Sequence, residues 1–147
     1  MYAPHDLGAG NPPAPLYFCD GAIDPHYRGV AVAVARRAPD GRILETISRV
    51  LPGMTNNEAE YEAFILGLEL ALARRDAAPI FLLDSQIVVG QVAGSFAVRD
   101  PRLAARHARA TRLLAQLPDA TVIFVPRERN LLADALAKEA LAEGLGR

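Results

Sequence analysis

The sequence predicts an α/β domain built on a five-stranded mixed sheet, antiparallel over its first three strands and parallel afterwards, flanked by helices. Three observations predict it. Three β-rich runs follow one another through short links in the first third of the chain. Further on, apolar runs alternate with helical stretches, which calls for right-handed crossovers and parallel pairing. With 147 residues, 51% of them hydrophobic, the chain is long enough for one well-buried core.

The elements follow in order. Residues 1–15, "MYAPHDLGAGNPPAP", read as a flexible Pro/Gly-rich tail, and residues 16–143 as the folded domain. Leu16 to Asp20 is a short apolar strand, and "RGVAVAVARR" and "GRILETISRVL" are the next two, split by the turn signal Pro39-Asp40-Gly41. "PGM" breaks the chain before a long helix from about Thr55 to Ala73, which "RRDAAP" ends. "IFLLD" is the fourth strand, its unbroken apolar run fitting a position buried on both faces. The short helix "SQIVVGQVA", the loop "GSFAVRDP" and a helix from about Arg102 to Leu117 follow. The strand "ATVIFV", the loop "PRERN" and a helix to about Leu141 complete the domain.

Composition narrows the setting. A formal net charge of -1 argues against broad electrostatic attraction to nucleic acid, while leaving room for a local basic patch. Cys19 is the single cysteine, so no internal disulfide forms and a reducing cytoplasm fits. The N-terminus lacks the order of a signal peptide and no stretch approaches a membrane span.

The informative feature is where the acids fall. Two apolar strands, "LYFCD" and "IFLLD", end on Asp20 and Asp84. Each has an ordinary explanation, a turn with Gly21 for Asp20 and a helix cap for Asp84, which is compatible with a second role. In the long helix, "TNNE" is a capping box with Thr55 as cap and Glu58 three residues on. At about 100° per residue, Glu58, Glu62 and Glu69 share one side, read as a wetted face. Glu60 lies almost opposite, on the stripe of Ala63, Phe64, Gly67, Leu70 and Ala71 that should pack on the sheet. A carboxylate turned inward without a partner costs several kcal/mol, so something cationic is expected beside it. Asp134 sits in the first turn of the last helix, where an acid suits the helix dipole, and the helix wheel does not settle which way it faces. Four converging acids would repel one another unless cations joined them. An all-oxygen, acidic set suits Mg²⁺ or Mn²⁺, and two such ions can clamp an in-line attack on a phosphodiester.

In order and spacing, "DG", "TNNEAEYEAFILGLELA", "LLDS" and "VPRERNLLADALAKEAL" resemble type 1 ribonuclease H, in its compact bacterial and archaeal subgroup without the basic protrusion. The likeness runs from about Leu16 to Leu141, and "TNNxAEY" and "PRxxNxxAD" are its specific parts. It implies the five-stranded mixed sheet and hydrolysis of the RNA strand of RNA–DNA hybrids with two Mg²⁺ or Mn²⁺ ions and no organic cofactor. Asp20, Glu60, Asp84 and Asp134 fall on the family's catalytic, metal-binding acids. Asn56, Asn57 and Gly21 match positions that touch the nucleic acid, Gly21 at the 2′-hydroxyl, and Arg127 or Arg129 stands in the loop before the last helix.

The chain departs from the family in two places. "AIDPHYRG" after "DG" is bulkier than the usual Gly/Asn-rich turn and adds Asp24, and Phe96, Ala97 and Asp100 occupy a loop where the family places tryptophan and lysine. Arg102, Arg106 and Arg109 form a stripe read first as a solvated outer face and second as a track for phosphates. These departures keep two competing expectations in view: a non-catalytic nucleic-acid-binding module of the same fold, and a related nuclease acting on another structured substrate.

Overall fold

The computed structural model describes residues 13–26 and 28–145. The tail expected over 1–15 lies outside the described residues as far as residue 12. Five strands form one sheet in the order β3-β2-β1-β4-β5: β1 Leu16–Ile23, β2 Gly29–Arg37, β3 Ile43–Pro52, β4 Ile80–Leu83 and β5 Thr121–Phe124. β1, β2 and β3 pair antiparallel, while β4 pairs parallel with β1 and β5 parallel with β4, as the sequence predicts. The helices are α1 Asn56–Arg74, α2 Gln86–Val92, α3 Pro101–Leu114 and α4 Leu131–Gly144, with a 3-10 turn at Arg127–Arg129. Among the described residues no helix is long and apolar enough to cross a membrane.

β2 shows how the sequence builds the layers. Its "VAVAVA" run alternates across the sheet, so the larger side chains serve one face and the alanines the other. Val32 and Val34 join the main core with Tyr17, Phe64, Leu68 and Phe81 under α1 and α3. Ala31 and Ala33 face α4, packing with Ala22, Ala137 and Leu141 in a second, thinner core. Both sides of the central strands are thereby covered, and β2 is buried almost throughout.

Three expectations change on this framework. β1 does not end at Asp20 but continues through Ile23, paired with β2 (Gly21 with Val32, Ile23 with Val30). Only towards β4 does pairing stop, at Cys19 with Leu83. Next, the expected wetted face of α1 is the seam with α3. Arg106 donates to Glu58 at 2.7 Å and to Glu62 at 2.8 Å, and Arg109 donates to Glu69 at 2.7 Å. Arg106 is therefore held between helices and is not part of a solvated face, whereas Arg109 stays exposed as the solvated-face reading expects while paired to Glu69; Arg102 pairs locally with Asp100. Last, Asp84 does not cap α2, because Ser85 accepts the Val88 N–H instead. The Thr55–Glu58 capping box forms as predicted.

Candidate metal centre

The parallel pairing of β1 and β4 creates the site. Cys19 is level with Leu83, so Asp20 and Asp84, each one residue further, emerge side by side where the ladder ends. α1 approaches β1 closely at Gly21, where an added Cβ would meet the Ala59 Cβ at 3.1 Å and its carbonyl oxygen at 3.2 Å. That contact brings Glu60 in from the helix, and its Oε1 accepts the Gly21 N–H at 2.9 Å. One carboxylate oxygen each from Asp20, Glu60 and Asp84 then lies within 4.8 Å of the others. Asp134, in the first turn of α4, lies close enough to Asp20 to help raise its carboxyl and pairs with Lys138 Nζ at 3.0 Å.

The electrostatics follow from that geometry. Burial first, then the charge of Asp84, pushes the Asp20 carboxyl up to about 7. Burial again, then Asp20 and Asp84, pushes Glu60 up to about 9, against a smaller pull from the Gly21 N–H. Among the described residues, no cationic side chain pairs with Glu60. What waits there is one backbone donor and two more acids. The donor set is entirely oxygen and carries more negative charge than its one lysine offsets, and burial and crowding favour the protonated forms of Asp20 and Glu60. These residues fit hard divalent ions.

Asp20, Glu60 and Asp134 open into a cavity of about 590 Å³, whose lining does not include Asp84. Gly21, Asn56 and Arg127 line it beside Asp20, Glu60 and Asp134. Asn57, half-buried in the first turn of α1, and Arg129, exposed on the 3-10 turn, fall outside its lining. Asp24 lines the cavity without being a spare ligand. Its carboxylate accepts two bonds from the Arg28 guanidinium, at 2.9 and 3.0 Å, and the backbone N–H groups of His26 and Arg28. Arg28 holds that carboxyl well below the usual range. The bulkier turn after "DG" is therefore closed internally.

Sequence reasoning missed two site residues. Lys138 follows Asp134 by one helical turn, a spacing that could have flagged the pair. Asn130, 1% exposed, donates from Nδ2 to the Cys19 carbonyl at 2.8 Å and to Asp84 Oδ2 at 2.9 Å. It stands inside the "PRxxNxxAD" stretch, but only the surrounding motif, and no local pattern, marks it.

A family model described as reverse transcriptase-like matches residues 18–140. The chain is 38% identical over 125 residues to a ribonuclease HI of Halobacterium salinarum, covering 85% of this chain and 62% of that protein. The chain thus spans less than two thirds of that relative's own length. Among solved structures, an RNase H1 from the same halophilic archaeon superposes with a TM-score of 0.84 at 35% identity, over 88% of this chain and 98% of the other. An RNase H1 designated LC11, solved in complex with an RNA/DNA hybrid, gives 0.83 at 28% identity, over 90% and 99%.

Proposed function

The chain belongs to the reverse transcriptase-like family and has the fold of compact type 1 ribonucleases H, and from that premise we propose that it is a metal-dependent endonuclease cutting the RNA strand of RNA–DNA hybrids. The observation that carries this reading is the meeting of Asp20, Glu60 and Asp84 within 4.8 Å, with Asp134 beside them. Residues 16–143 form the unit that carries the activity, and the single buried thiol suits a reducing cytoplasm.

Asp20, Glu60, Asp84 and Asp134 would hold two divalent ions, Mg²⁺ or Mn²⁺, which when bound supply Lewis-acid polarisation of the scissile phosphate and of the attacking water. The protein's own part is placement. β1 and β4 are rigid central strands, so Asp20 and Asp84 are held with little freedom, and Glu60 is fixed by the Gly21 N–H. Asn56 and Arg127 stand at the cavity, Arg127 bringing positive charge to where a phosphate must enter an acidic site. We assign Gly21, Asn56, Asn57, Arg127 and Arg129 to hybrid contacts, with a 5′-phosphate and a 3′-hydroxyl as products.

The test is cleavage of a labelled hybrid in Mg²⁺ and in Mn²⁺, alongside single-stranded RNA and duplex RNA, with native protein and Asp84→Asn. Native protein should cut only the hybrid, and the variant should be slower by about a hundredfold or more. Equal rates for the two proteins, or no cutting of any substrate with either metal, would end the proposal.

A further inference from the structure

Asn130 occupies the residue just before α4, where an asparagine ordinarily turns its side-chain oxygen towards the free N–H groups of the helix. Here it makes no such cap. Its amide points the other way, into the sheet, and is 1% exposed. Nδ2 gives one hydrogen to the Cys19 carbonyl and the other to Asp84 Oδ2. Both neighbours accept only, so chemistry fixes which end of the amide is nitrogen. The backbone carbonyl of the same residue accepts the Asp134 N–H at 3.1 Å. One residue therefore joins the carbonyl that precedes Asp20, the carboxylate of Asp84 and the turn that carries Asp134.

The arrangement works against stability. Oδ1 is buried and meets no donor among the described residues, a state that ordinarily costs about 1–3 kcal/mol. A capping orientation would avoid that. The chemical type also matters. An arginine or lysine in this place would hold Asp84 by neutralising it, whereas a neutral amide orients the carboxylate and leaves its charge for a cation.

We propose that Asn130 is a positioning residue, which holds the Asp84 carboxylate oriented and locks α4 to β1 and β4 so that the acids present one cation site. This rests on the metal-dependent reading above. The test is calorimetric titration of Mn²⁺ into native protein, Asn130→Ala and Asp84→Asn, with melting temperature and hybrid kinetics on the same samples. Asn130→Ala should bind Mn²⁺ about tenfold to a hundredfold more weakly. Its KM for hybrid at saturating Mn²⁺ should stay within about twofold of native, with lost cleavage recovered by raising the metal. A lower melting temperature with unchanged Mn²⁺ affinity would make Asn130 merely structural and overturn the proposal. If the alanine variant does not fold, Asn130→Ser carries the same measurement, because a hydroxyl cannot span both acceptors, and unchanged affinity is again fatal. Failure of the parent reading looks different: native protein itself would then take up no divalent ion, or Asp84→Asn would bind as tightly as native.

Discussion

β1 carries two acidic neighbourhoods a few residues apart, and they are built on opposite principles. At Tyr17 the acid is Asp76, whose side chain is fully buried and accepts from Arg36 Nε and Nη2, each at 2.9 Å, and from the Tyr17 hydroxyl. Arg75, in the left-handed conformation at φ 58°, turns the chain out of α1 and delivers Asp76 to that pocket. At Asp20 the neighbours are more acids, a backbone N–H and an amide. Asp76 and Asp20 are both buried. One is neutralised within the chain, and the other leaves its charge to be answered from outside. The difference teaches that burial alone does not separate a structural acid from a functional one; the nature of its partners does.

That contrast can be broken by mutation. The largest effect is expected at Arg36→Ala, which strands Asp76 in the core and should cost about 3–5 kcal/mol in denaturant unfolding, whether or not divalent ions are present. If the loss were below about 1 kcal/mol, the two neighbourhoods would not differ as described.

Next comes pH. Asp20 and Glu60 have carboxyls raised to about 7 and about 9, so the metal-free folded protein keeps protons that the unfolded chain has released. Their contribution to stability is present at acid pH and lost as pH rises through 7 and then 9. Acids held low by arginine, such as Glu45 and Asp100, act in the opposite sense, below the ordinary carboxylate range. Melting metal-free protein between pH 5 and pH 9 should therefore show stability falling, by up to about 2.7 kcal/mol per pH unit below pH 7, where the fold keeps two protons the unfolded chain has released, and by about 1.4 between pH 7 and 9, where it keeps one. Millimolar Mg²⁺ or Mn²⁺ should flatten the fall. A flat profile without metal would dissolve the contrast from the other side.

The smallest effect has an unusual sign. Asp20→Asn should leave the metal-free protein at pH 8 more stable, by about 1 kcal/mol, since the repulsion between the buried Asp20 charge and Asp84 is gone. The same variant should lose the stabilisation that Mn²⁺ gives the native protein. Measuring both melts, with and without Mn²⁺, checks the pair of outcomes.

How far the sequence reaches depends on the range of the contacts involved. The succession of strands and helices along the chain and the capping box were legible because each rests on neighbours in the chain. Glu60 was legible because a helical period sets one acid apart from the others on α1. Asp134 was not, since its direction depends on how α4 lies over β1, and only the resemblance to ribonuclease H singled it out. Arg106 of α3 was misread for the same reason: its partners Glu62 and Glu58 sit on α1, 44 and 48 residues away in sequence. Asn130 reaches across 111 residues to Cys19 and 46 to Asp84, and no local pattern encodes that reach. The Tyr17–Arg36–Asp76 group was invisible on the same grounds.

The alanines of β2 have a further consequence. Ala33 lies opposite Asp20 in the ladder and beneath α4, so the bulk of its side chain sets the standoff between that helix and the sheet. A methyl group lets the helix ride low enough for Asp134 to meet Asp20. Leucine there would lift the helix like a shim, and the gap between two carboxylates would widen although neither had been touched. The spacing of the acid cluster is in this sense gauged from the far side of the strand pair, by a residue with no chemistry of its own.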